Sequence, residues 1–312
     1  MKIVALAGGV GGAKLVVGLA EILPPEDLTV IVNTGDDFDH FGLRICPDLD
    51  TICYSLAGYA NLETGWGLQD ETWQALKTIE MLGGPNWFKL GDRDLGLHLE
   101  RTRLISSGIP LSQVTLNICR ALGIIIQVLP MTDDKVATWI LTEDDEVLPF
   151  QEYFVHQECK PIVKSFRFEG HDSSQPARGV LEVLETADLI IICPSNPWVS
   201  IGPILSVPGI KESIKRRPVV AISPIIGGKA VKGPAAKMYY ELGITPSPAA
   251  IADQYKEFLS GLIIDEIDHN QADEISERGI ILYVTKTLMS NIEDRRRLAG
   301  EVVTFGKMLT WR

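Results

Sequence analysis

The chain has 312 residues, 46% of them apolar, enough for one large α/β domain with insertions or for two ordinary domains. Its net charge of −12 argues against general nucleic-acid or anionic-membrane binding and fits a solvated acidic surface. Five cysteines without a CxxC pair argue against a disulfide framework or a zinc site and fit a reducing cytoplasm.

Met1 leads directly into a strand over Ile3–Ala7, so no secretory leader is expected, and no apolar stretch is long enough to span a bilayer. Gly8-Gly9-Val10-Gly11-Gly12-Ala13-Lys14 follows and opens a helix over Ala13–Ile22. Glycines tolerate positive φ and close approach, and a helix N-terminus favours anions, so Gly9, Gly11, Gly12 and Lys14 point to a phosphate. The segment fits neither standard fingerprint: Lys14 stands where G-x-G-x-x-G needs its third glycine, and no Gly-Lys-Ser/Thr occurs. A tight turn without ligand is the plain alternative, but four glycines in five residues exceed what it needs.

A second strand, Thr29–Asn33, runs into Thr34-Gly35-Asp36-Asp37. One acidic residue here would suit a ribose; the excess of carboxylates, with Asp50 following, suits Mg²⁺ with substrate phosphate oxygens. Asp36, Asp37 and Asp50 are the metal candidates, and Asp48 reads as a cap for a helix over Thr51–Ala60.

Residues 50–122 lack a clear strand and read as a helical insertion, with helices over Asp70–Leu82, Asp92–Ser106 and Pro110–Leu122. Within it, Trp87, Phe88 and Lys89 could stack a planar ligand and contact its acidic edge. Equally, Asp92 could cap a helix and Trp87 staple it. Further strands are expected over Ile124–Leu129, Leu189–Cys193, Val219–Ile222, Leu262–Asp265 and Ile280–Val284, with a small antiparallel excursion over about 136–170. The apolar runs are continuous, as in strands covered on both faces, which predicts an α/β fold with a doubly wound, mostly parallel Rossmann-like sheet. The whole chain, 1–312, is expected to form one domain. Loops carrying Ser195, Asn196, Gly227 and Gly228 follow such strands; each could be a plain turn, but together they favour binding at one sheet edge. From these residues alone, hydride transfer, phosphoryl transfer and plain binding all stay open.

GGVGGAK, NTGDD, RICPDLDT (Arg44–Thr51), WFKLGDRDL (Trp87–Leu95), CPSNPWVSIGPIL (Cys193–Leu205) and SPIIGGKAVKGP (Ser223–Pro234) together resemble the 2-phospho-L-lactate transferases of deazaflavin coenzyme F420 biosynthesis. The resemblance covers nearly the whole chain in order. It implies transfer of a phospholactyl or phosphoenolpyruvyl group from its guanosine-diphosphate ester to the deazariboflavin FO, with Mg²⁺ required and GMP released. It implies Asp37 and Asp50, with Asp36, around Mg²⁺, and Asp50 with Lys89, Trp87 and Asp92 around FO. Asp50 would also orient the acceptor hydroxyl. The glycine segment and Lys14 would hold the donor diphosphate; Ser195, Asn196, Gly227 and Gly228 would line the guanosine side. A cytoplasmic homodimer is the expected state. The alternatives are a nucleotide-sugar-binding regulatory protein of related fold and an NAD-dependent oxidoreductase.

Overall fold

A computed structural model describes residues 1–231 and 233–310. Seven parallel strands form the central sheet: β1 (Ile3–Ala7), β2 (Leu28–Val32), β3 (Gln127–Pro130), β4 (Leu189–Ile192), β5 (Val219–Ile222), β6 (Gly261–Asp265) and β7 (Ile281–Thr285). Their spatial order is β7-β6-β5-β4-β1-β2-β3. The seven strand runs read from the sequence are these seven, with Ile3–Ala7 and Val219–Ile222 unchanged and the ends of the others displaced by at most three residues. The largest displacement is at β3, where Ile124–Ile126 precede the strand and Ile125 is exposed.

Alternate residues of each strand enter opposite cores. Val4 and Leu6 join one apolar cluster; Ile3, Ala5 and Ala7 join the other, with Leu15 and Leu19 of helix α1 (Gly9–Ile22). Burial of each large aliphatic side chain contributes about 1.5–3 kcal/mol, which is why both faces of the sheet are covered.

The strand order reverses between β1 and β4, so the turns that leave these two strands face each other at one sheet edge. The packing there is tight. A Cβ on Gly11 would meet Pro194 O at 2.3 Å, and one on Gly12 would meet Ser195 Oγ at 2.8 Å. Helix α1 begins at Gly9, not at Ala13, so the glycines form its first turn. Three of them are needed to admit the protein's own neighbouring groups, because a Cβ on Gly8 would also meet Asp48 Oδ2 at 2.5 Å.

Between β2 and β3 the chain passes through α2 (Pro47–Leu56), α3 (Gln74–Met81), α4 (Asp92–Ser106) and α5 (Leu111–Ala121). Helix α2 starts four residues before the expected Thr51, since Pro47 occupies the first turn; Asp48 and Asp50 therefore lie inside the helix. Helix α3 starts at Gln74 rather than Asp70. A hairpin of Phe38–His40 with Leu43–Ile45, turning through Phe41 (φ 53°) and Gly42 (φ 74°), precedes α2. The expected antiparallel excursion is a three-stranded ribbon with Ala137–Thr142 between Val147–Pro149 and Val163–Glu169. Among the described residues no helix is long and apolar enough to cross a membrane.

Candidate active site

A cavity of about 800 Å³ opens at the edge where the β1 and β4 turns meet. It is lined by Gly8–Gly11, Lys14, Asp36 and Asp48. Trp66, Trp87, Phe88 and Lys89 from the helical insertion and Phe150 and Phe154 from the ribbon region line it as well. Phe150 and Phe154 stack at 5.4 Å, and Trp87 stacks on His156 at 5.1 Å.

The glycine turn is held from two sides. Gly9 N donates to Asp48 Oδ1 at 2.7 Å, and Ser195 Oγ donates to Gly8 O at 2.8 Å. Val10 and Gly11 follow at α1 positions whose N–H groups have no partner within the helix, which leaves them available to an anion. Lys14 extends along the same wall and donates from Nζ to Met289 O at 2.8 Å.

Asp36 and Asp48 are the buried carboxylates of this wall. Burial, then the neighbouring Asp48, pushes Asp36 well above the usual carboxylate range. Burial raises Asp48 to about 6 against the opposing bonds from Asn33 and the Gly9 N–H. Gln151 of the ribbon region donates from Nε2 to Asp36 Oδ2 at 3.3 Å. Two adjacent buried carboxylates, both costly to ionise and neither paired with an arginine or lysine among the described residues, form a donor set that suits Mg²⁺.

The other two metal candidates are placed differently. Asp37 does not line the cavity; its Oδ2 lies 3.5 Å from Arg44 Nη2, and its Oδ1 is buried without a hydrogen-bond partner. Burial outweighs Arg44 and raises Asp37 to about 7. Asp50 also stands outside the lining and is gripped by both terminal nitrogens of Arg101. The ligand atoms of Asp50, Asp94 and His98 lie within 4.8 Å of one another, a metal-like spacing, but Arg101 already engages Asp50 there.

Of the residues expected around the acceptor, Trp87 and Lys89 reach the cavity and Asp92 does not. Asp92 caps α3: its carboxylate accepts from Gln74 N and Ala75 N at 3.0 Å each and from Thr72 Oγ1 at 2.5 Å. These bonds, Thr72 first, lower its pKa. On the expected guanosine side, Ser195 and Asn196 line the cavity. Asn196 Oδ1 also accepts from Trp198 N at 2.9 Å, so it caps the following turn. Gly12, Gly227 and Gly228 stand outside the lining, and Gly227 N donates to the Asp268 carboxylate at 3.0 Å. Lys232 of that glycine loop motif lies outside the described residues. Asn33 and Gln151, which bond to the acidic pair, were not singled out in the sequence, and Asp48 was read there only as a helix cap. Pro47 was the available signal for Asp48, since proline marks a helix first turn.

This chain is similar to known proteins over nearly its whole length. The family model described as 2-phospho-L-lactate transferase CofD matches residues 3–294. A phosphoenolpyruvate transferase of Streptomyces griseus is 41% identical over 310 residues, covering 97% of this chain and 98% of that protein. A 2-phospho-L-lactate transferase of Methanosarcina acetivorans is 39% identical over 298 residues, covering 96% and 97%. The crystal structure of protein BH3568 from Bacillus halodurans shares the fold, with a TM-score of 0.63 at 17% identity over 97% of this chain and 99% of that one. Coverage is nearly complete in both directions, so this chain belongs to the CofD family of 2-phospho-L-lactate transferases, enzymes of coenzyme F420 biosynthesis.

Proposed function

We propose that this enzyme moves a phospholactyl or phosphoenolpyruvyl group from its guanosine-diphosphate ester to the ribityl hydroxyl of FO and releases GMP. The observation that carries this reading is that one cavity is lined by the glycine turn of α1, an acidic pair and several aromatic rings. A volume of about 800 Å³ lies within the range of small-molecule sites and leaves room for two partly buried ligands. The names of relatives at 39–41% identity supply the transferred groups.

The donor diphosphate would lie against the first turn of α1, where Val10 and Gly11 offer N–H groups and Lys14 offers charge. The aromatic wall would seat the planar deazaflavin, with Lys89 at its rim. The acceptor oxygen attacks the phosphorus that carries the acid, the bond from that phosphorus to the bridging oxygen breaks, and GMP leaves with the electron pair. The hydroxyl proton is released to solvent as the phosphodiester forms. Such chemistry needs chiefly positioning and charge neutralisation. Asp36 and Asp48 would hold Mg²⁺, which would neutralise charge on the phosphates.

FO fluorescence during titration measures acceptor binding. Adding Mg²⁺ and either guanosine-diphosphate ester should then release GMP, and assaying both donors side by side identifies the acid. No FO binding, or tight NAD binding in its place, would sink this reading.

A further inference from the structure

The Asn33 side chain sits where the end of β2, the acidic loop and α2 converge, closed to solvent. Its Nδ2 donates to Asp36 Oδ1 at 3.0 Å and to Asp48 Oδ2 at 2.9 Å, with Val199 O at 3.2 Å. Its Oδ1 accepts from Gly35 N at 2.8 Å. That last bond fixes the orientation of the amide, because a flipped amide would aim its oxygen at two carboxylates.

One nitrogen with two hydrogens thus serves two carboxylates from separate elements. Asp36 comes from the loop after β2 and Asp48 from the first turn of α2. Asp48 in turn accepts from Gly9 N, so the same set of bonds reaches the helix turn of the phosphate wall. Gln151 supports Asp36 from the ribbon side but makes no bond to Asp48, which leaves Asn33 as the bridge. Without a common donor, two buried carboxylates repel and separate.

We propose that Asn33 is a positioning residue whose single side-chain nitrogen sets the spacing of the Asp36 and Asp48 carboxylates and so prepares them to take a divalent cation. The inference rests on reading that pair as the cation site. Partners that orient metal ligands typically change metal affinity by about 10–100-fold when removed.

Mn²⁺ is the probe, followed by electron paramagnetic resonance on the full-length protein and its variants, with circular dichroism as the check on folding. Asn33→Ala should weaken Mn²⁺ binding at least about tenfold. In an Asp48→Asn background the same change should add less than about twofold, because the pair it spaces is already broken. Asn33→Ser, which keeps an oxygen for the Gly35 N–H, is the second variant and should behave alike. Undiminished Mn²⁺ binding in Asn33→Ala, or losses that simply add across the cycle, would overturn the proposal. So would failure of both Asn33 variants to fold, which would make the residue structural. If Asp48→Asn leaves Mn²⁺ binding untouched, the reading of the pair as the cation site fails first and takes this inference with it.

Discussion

Asp50 at the start of α2 and Arg101 on α4 form an ion pair nearly closed to solvent, with 6% and 2% of their surfaces exposed. Arg101 Nη1 donates to Asp50 Oδ2 at 3.0 Å and Nη2 donates to Oδ1, while Nη1 also lies 3.1 Å from His98 Nδ1. Removing one member of such a pair leaves a buried charge uncompensated and costs about 3–5 kcal/mol. Asp50→Asn is therefore expected to lower the urea midpoint markedly, and Arg101→Met to do the same. The double change Asp50→Leu with Arg101→Met should regain much of the loss. Unfolding curves for Asp50→Asn that overlay the wild type would show that the pair is not buried in solution. Loss of turnover in an Asp50 variant is informative about chemistry only beside such a melt.

Asp37 gives the protein a pH dependence of unusual sign. Its carboxyl is raised to about 7 in the fold by burial, despite Arg44, whereas an unfolded aspartate titrates near 3.9. Between these values the folded state binds the extra proton, so its contribution to stability falls as pH rises and is fully lost above about 7. The penalty at high pH is on the order of 4 kcal/mol. Asp37→Asn cannot ionise and escapes it. Urea melts of both proteins from about pH 5 to pH 8 should show the variant gaining stability relative to wild type. Parallel curves across that window would mean that Asp37 is already ionised at the low end.

Much of the fold was legible because the sheet obeys a local rule. Strands such as Leu189–Ile192 are buried on both faces, and that demands an unbroken apolar run. Helix α4 was equally readable, with Asp92 and Asp94 in its first turn and Arg103 in its last. The Phe38–Ile45 hairpin was not, since strands of three residues carry no usable period and Phe41 adopts a conformation rare for its type. The candidate site was half visible for a similar reason. The residue types and their order announced phosphate, carboxylate and aromatic chemistry. Which aspartate faces the cavity depends on Asn33, Arg44 and Arg101, partners that meet only when distant elements pack.

The glycine turn makes a quantitative test of why its glycines are there. A Cβ on Gly11 would lie 2.3 Å from Pro194 O, a backbone atom that cannot move aside cheaply. At Gly9 the nearest neighbour of such a Cβ is Asp48 Oδ1 at 4.0 Å, and the cost is chiefly that of φ 63°. A left-handed conformation costs a non-glycine residue about 1–2 kcal/mol. Gly9→Ala should therefore fold with a loss of about that size, while Gly11→Ala should lose several times more or fail to fold. Equal melts for the two variants would mean that the β4 turn is not packed against α1 as tightly as the structure places it.

Asp92 and Glu71 cap each other's helices. Asp92 accepts from the first N–H groups of α3, and Glu71 accepts from Arg93 N at 2.8 Å and Asp94 N at 3.1 Å at the start of α4. The segment between the two helices carries Trp87, Phe88 and Lys89 into the cavity wall, so this reciprocal capping braces that aromatic wall. A capping carboxylate and a charge that touches FO respond differently to substitution. Asparagine keeps one side-chain oxygen to accept an α3 N–H and is a good cap, whereas alanine keeps none. Asp92→Asn should keep near-normal FO affinity in a fluorescence titration. Asp92→Ala should loosen hydrogen-exchange protection along α3, which buries no residue of its own, and weaken FO binding as a consequence. If Asp92→Asn loses FO as badly as Asp92→Ala while α3 stays protected, then Asp92 acts on the ligand through its charge and the brace is not its function.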